Sequence, residues 1–105
     1  MTDWQPDALL PGFEQRRFEF PPDYDGPVVA TLVRLPGPQC ATAVLYVHGF
    51  VDYFFQAHMA RRFAAEGYAF YALDLRKHGR SLRPGQHACY CSDLSEYYAE
   101  LTRAI

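Results

Sequence analysis

Long apolar runs are missing from this chain: none of its stretches approaches the roughly 20 residues that span a bilayer. A basic flank followed by an apolar segment is missing too. The chain opens Met1-Thr2-Asp3-Trp4-Gln5-Pro6-Asp7, which argues against a secretory signal and makes a cytoplasmic protein the expectation. Charge of one sign is scarce. Ten basic against twelve acidic side chains leave a formal charge of −2, with no long-range pull toward nucleic acid or anionic membranes. Cysteine is sparse and odd in number (Cys40, Cys89 and Cys91), against a disulfide framework. The run His87-Ala88-Cys89-Tyr90-Cys91 is crowded and lacks a second, distant ligand cluster, so reduced thiols are expected there and no metal or cofactor. Internal repeats and low-complexity tracts are absent.

What is present is core-forming material. Half of the 105 residues are hydrophobic and 16% are aromatic, too rich for a disordered chain and enough for one small domain. After a lead-in broken by Pro6, Pro11 and Gly12, Phe13 to Phe20 alternates with period two as a half-exposed strand. The turn-rich segment Pro21 to Pro27 predicts a reversal, and Val28 to Leu35 a second, β-branched strand paired antiparallel with the first. Ala43 to Val47 is a continuous apolar run, the pattern of a strand covered on both faces. Asp52 is a candidate N-cap for a helix whose buried stripe is Phe55, Met59 and Phe63, ended by Gly67. Tyr68 to Leu73 is a further buried-type strand closing at Asp74. A last helix is expected from Asp93, with Glu96 completing a capping box and Leu94, Tyr97, Tyr98, Leu101 and Ile105 as its stripe. The order predicts an α/β fold: an antiparallel β-hairpin joined to a right-handed βαβ unit in a mixed sheet, ending in a helix. Two helices are too few to cover both faces of such a sheet fully.

In an open α/β sheet, ligands bind beyond the carboxyl ends of the strands. Two loops leave that edge: His48 to Asp52, and Asp74 to Ser81. An apolar strand ending in His48-Gly49-Phe50, one helix, then a strand running into Asp74-Leu75-Arg76-Lys77-His78-Gly79-Arg80-Ser81 resembles the α/β-hydrolase superfamily. It is most similar to the branch of serine aminopeptidases (S33-like), lysophospholipases and monoacylglycerol lipases. The likeness runs from Phe13 to Ile105, and its specific parts are Leu45 to Asp52 and Leu73 to Ser81.

The resemblance implies roles residue by residue. The Phe50 N–H would be one oxyanion-hole donor, with Gly49 letting the backbone turn and His48 anchoring the loop rather than acting as base. Asp74, Arg76, His78, Gly79 and Ser81 would form a scaffold loop at the floor of the site. Lys77 stands where many relatives have Gly, which leads one to expect no positive φ there. Ser81 is not expected to be a nucleophile, because Lys77 to Arg83 lacks the Gly-x-Ser-x-Gly elbow. Ser92 and Ser95 read as capping or solvent-facing residues. The aromatic stripe Phe54, Phe55, Met59 and Phe63 suits core packing better than an acyl pocket.

The expectation is therefore that residues 1–105 are the N-terminal portion of a single α/β-hydrolase domain, with nucleophile, acid and base encoded further on. Such a segment belongs to a serine hydrolase of the esterase or lysophospholipase type, acting on a small-molecule ester or lipid-like substrate. Alone it would be inactive. Two alternatives stand beside this reading: a noncatalytic fragment or binding module with an open sheet edge that self-associates, and a relative of epoxide hydrolases or haloalkane dehalogenases with an Asp nucleophile.

Overall fold

Phe18 and Phe20 alternate with polar neighbours, and the segment they lie on forms the long strand β2, Glu14–Asp23, in a computed structural model that describes residues 3–105. Of the opening residues read above, Met1 and Thr2 lie outside it. Strand β3, Gly26–Arg34, pairs antiparallel with β2 from Glu14↔Arg34 to Phe20↔Val28. The reversal is tighter than the sequence suggested. Pro21 and Pro22 continue β2, since the fixed φ of proline fits extended backbone, and the ladder shifts register between Phe20 and Asp23. The turn closes at Tyr24-Asp25, where Asp23 Oδ1 accepts the Asp25 N–H at 2.7 Å. The lead-in also holds a short strand that the sequence reading missed: β1, Gln5–Pro6, pairs antiparallel with β2.

Strands β4, Ala43–Val47, and β5, Ala69–Asp74, are parallel and joined through helix α1, Ala57–Ala65. The five-stranded order is β1-β2-β3-β5-β4, with β5 antiparallel to β3. β5 is thus central, whereas β4 lies at the edge. Its apolar run looked covered on both faces, but Ala43 and Val47 are exposed and the residues between them half-buried, because β4 has a neighbour on one side only. Alternate residues feed two cores. One gathers Phe13, Val33, Phe54, Phe70 and Ala72 with α1; the other gathers Phe18, Leu32, Leu73 and Leu75 with Tyr97, Leu101 and Ala104. The last of these belong to helix α2, Tyr98–Ala104, and the 3-10 turn before it, Leu94–Tyr97, so each face of the sheet carries one helix.

Both helices depart from their predicted stripes. α1 starts at Ala57 rather than after Asp52, and Phe54 is fully buried while Phe55 is half exposed. The cause is tertiary: the Phe54 N–H donates to Asp74 Oδ1 at 2.8 Å and its carbonyl accepts from Arg80 Nη1 at 2.7 Å, so that peptide does not join a helix. Met59 and Phe63 do pack on the core, and Gly67, at φ +92°, follows the end of the helix. At the other helix Asp93 caps as expected, accepting from Ser95 N–H at 2.9 Å. Glu96, however, turns to Ser92 and the Tyr24 hydroxyl instead of completing a capping box. Leu94, Tyr98 and Ile105 are exposed, and Glu100 is buried in their stead.

Candidate active site

The carboxyl ends of β4 and β5 release the two loops singled out above, and side chains lock them together. His48 sits just past β4 and is buried. Its Nε2 accepts the Leu75 N–H at 3.0 Å, and its Nδ1 lies 2.8 Å from the Gly49 carbonyl, so the tautomer protonated at Nδ1 satisfies both contacts. The His78 ring lies 4.5 Å from it, centroid to centroid, with Nδ1 donating to the Arg76 carbonyl at 2.7 Å. Burial pushes the His78 pKa below its ordinary value, and the neighbouring His48 pushes the same way. Both imidazoles are committed to backbone groups.

Phe50, next along, is 82% exposed, and its N–H makes no hydrogen bond to any described residue. Val51 follows at φ +53°, an uncommon conformation for a β-branched residue and one that costs of order 1–3 kcal/mol. The loop is thus strained just beyond an uncommitted amide.

The second loop is built around Asp74, which is fully buried. Its Oδ1 takes the Phe54 N–H, and its Oδ2 takes the Arg80 N–H at 3.0 Å and Arg80 Nη1 at 2.9 Å. The Arg80 guanidinium also forks onto Asp7, Nε to Oδ1 at 2.6 Å and Nη2 to Oδ2 at 2.8 Å. Gly79, at φ +46°, allows this approach: a Cβ there would stand 2.4 Å from Tyr53 Cβ and 2.7 Å from Asp74 Oδ2. Ser81 is buried with its hydroxyl donating to the Asp74 carbonyl at 2.6 Å and lying 3.1 Å from Thr31 Oγ1. Ser81, His78 and Asp74 therefore face three different sets of partners, and no Ser–His–Asp relay runs among them. Arg76 donates from Nε to Glu100 Oε2 at 2.7 Å and from its backbone to Glu100 Oε1 at 2.5 Å, tying α2 to the loop.

Lys77 corrects the expectation drawn from its replacing Gly. It does adopt positive φ, +65°, and its side chain is fully buried. Its ammonium lies 2.9 Å from Asp23 Oδ2 and 3.2 Å from Asp25 Oδ2, above the Tyr24 ring at 4.2 Å. Burial alone would lower its pKa; the two carboxylates outweigh that and raise it. The left-handed backbone at Lys77 thus occurs together with buried ion pairs to the hairpin turn.

Between the loops opens a cleft of about 360 Å³. His48, Gly49 and Phe50 line it together with Leu75 and His78 from the second loop and Cys89, Tyr90, Cys91, Leu94 and Tyr97 from the chain that follows. Among the described residues no group of three or more His, Cys, Asp or Glu side chains could hold a metal ion, and no helix is long and apolar enough to cross a membrane.

The family model for serine aminopeptidase, S33, matches residues 38–105, well over half of the chain and both loops of the cleft. The chain belongs to the serine aminopeptidase S33 family. No curated protein and no solved structure matches it. As a segment of an S33 hydrolase, its mixed five-stranded sheet with flanking helices is a partial α/β-hydrolase fold. Several residues that hold the second loop in place carry little signal in the sequence. Arg80 shares the Asp74–Ser81 motif with two other cations, Arg76 and Lys77, and nothing local marks it as the partner of Asp74. Glu100 betrays itself as an acid flanked by Tyr97, Leu101 and Ala104 on an apolar face. Asp7, more than seventy residues from Arg80, gives no local sign.

Proposed function

We propose that this S33 segment supplies half of an oxyanion hole to a serine hydrolase acting on small ester or lipid-like substrates, in the manner of esterases and lysophospholipases. The observation that carries the reading is the Phe50 N–H: a backbone donor with no hydrogen-bond partner among the described residues, on the rim of the cleft. Acyl transfer develops negative charge on the former carbonyl oxygen, and a donor fixed in advance stabilises that charge without reorganising. His48 would act as the positioning residue, holding the loop through Leu75 while Gly49 turns it. Asp74, Arg76, His78, Gly79 and Ser81 would be the scaffold that fixes the loop's distance from β5. The sequence contains no Gly-x-Ser-x-Gly elbow, and the hydroxyl of Ser81 is spent on the Asp74 carbonyl, so the 105-residue chain by itself is expected to be inert. Incubation with a p-nitrophenyl ester and a fluorophosphonate probe tests this. A flat baseline and no label are expected; a burst or a covalent adduct on Ser81 would overturn the reading.

A second reading concerns association and has its own support. β4 pairs on one side only, and Ala43-Val44-Leu45-Tyr46-Val47 carries no charge, proline or bulge to discourage another strand. The chain is expected to self-associate through that edge. Sedimentation of a monodisperse monomer at high concentration would contradict it.

A further inference from the structure

The cleft that Phe50 lines also bears two thiols. Cys89 and Cys91 are both free, partly exposed and on the same cleft as Gly49 and Phe50. Their segment is firmly held. Asp25 accepts the His87 N–H at 2.9 Å and lies 2.8 Å from His87 Nδ1, and the Tyr24 hydroxyl accepts the Ser92 N–H at 3.1 Å. Cys89 itself donates its N–H to the Lys77 carbonyl at 2.9 Å. Cys89 has φ +61°, a conformation that Gly or Asn adopts with less strain. A cysteine there keeps a sulfur nucleophile on the cleft at a cost in backbone energy. The surrounding lining, Leu75, Tyr90, Leu94 and Tyr97, carries no formal charge.

We propose that Cys89 and Cys91 form a covalent-capture site for small uncharged disulfides, whose adduct fills the cleft. In the capture step the thiol loses its proton to solvent and its sulfur attacks one sulfur of the reagent. A protein–reagent disulfide forms, the reagent's own S–S bond breaks, and the second half leaves as a thiolate. The cysteine sulfur is oxidised and the departing sulfur reduced, so no further oxidant is needed. The site depends on the cleft's shape and on the two sulfurs, and not on Phe50 acting as an oxyanion donor.

Dithiodipyridine, small, aromatic and uncharged, is the probe, applied to the whole chain with peptide mapping and amide NMR. Cys40 is the internal control: it is also free and partly exposed, but lines a separate depression beside Pro38 and Ala43. Modification at Cys89 or Cys91 is expected to outpace that at Cys40 by about tenfold, with charged glutathione disulfide losing that preference. The adduct should move the Gly49 and Phe50 amide resonances, and Cys89→Ser with Cys91→Ser, made singly, should each remove its own adduct while the other remains. Equal rates at all three thiols would overturn the proposal. So would an adduct on Cys89 or Cys91 that leaves the Gly49 and Phe50 resonances in place.

Discussion

Arg80 grips Asp74 twice, through its backbone N–H at 3.0 Å and through Nη1 at 2.9 Å, while the rest of its guanidinium forks onto Asp7. One side chain therefore joins the lead-in, the segment before α1 and the loop after β5. Arg80→Ala leaves two carboxylates without their cation in a buried setting, and breaking such a pair costs about 3–5 kcal/mol. Arg80→Lys keeps the charge but loses the fork, and should recover only part of that. Urea unfolding followed by fluorescence of Trp4 checks both; a Lys variant equal to wild type would show that charge alone matters.

Gly79→Ala tests the close approach in the same loop. The added methyl meets Tyr53 Cβ and the Asp74 carboxylate, and the backbone there has positive φ. A loss of about 1–3 kcal/mol is expected, the range for forced overpacking. Gly37→Ala, where nothing lies within 4 Å of the new Cβ, should be close to neutral in the same melt.

Acid should loosen the hairpin turn and the cleft wall together. The His87 N–H and ring, with Lys77, hold the Asp25 carboxyl at a pKa of about 2, against an ordinary value of 3.8. Because the folded pKa is depressed, this contribution to stability is complete above the ordinary value and is lost as pH falls through it toward 2. Asp23 and Asp7 are shifted the same way, opposed by burial and carried by Lys77 and Arg80 respectively. Stability measured between pH 5 and pH 2 should fall, and Asp25→Asn should flatten that slope. An unchanged slope would contradict the assignment.

The sequence made the hairpin, the βαβ order and the two motif loops legible, because each rests on local pattern: alternation, a short apolar run, a cluster of turn formers. What it concealed depends on distant partners. Phe54 rather than Phe55 is buried because Asp74 and Arg80 capture its peptide. Leu94 and Tyr98 fall outside the core while Glu100 is drawn in to Arg76. Lys77 shows the limit most plainly. Residue type argued against a left-handed backbone, yet Asp23, Asp25 and Tyr24 reward it with buried ion pairs and a ring contact. Within the candidate site, the positions of His48 and Gly49 followed from the motif. The thiol-bearing run from His87 to Cys91 was visible in the sequence, but nothing local placed it on the same cleft as Phe50.

The central claim is that the Phe50 N–H is a free donor poised for an oxyanion. It is tested most directly by titrating the chain with methylphosphonate, a small tetrahedral anion, while following backbone amides by NMR. A saturable downfield shift is expected at Phe50, weakened in His48→Ala, where the Leu75 anchor is lost. No shift at Phe50, or a Phe50 amide already protected from exchange in the free chain, would contradict the account.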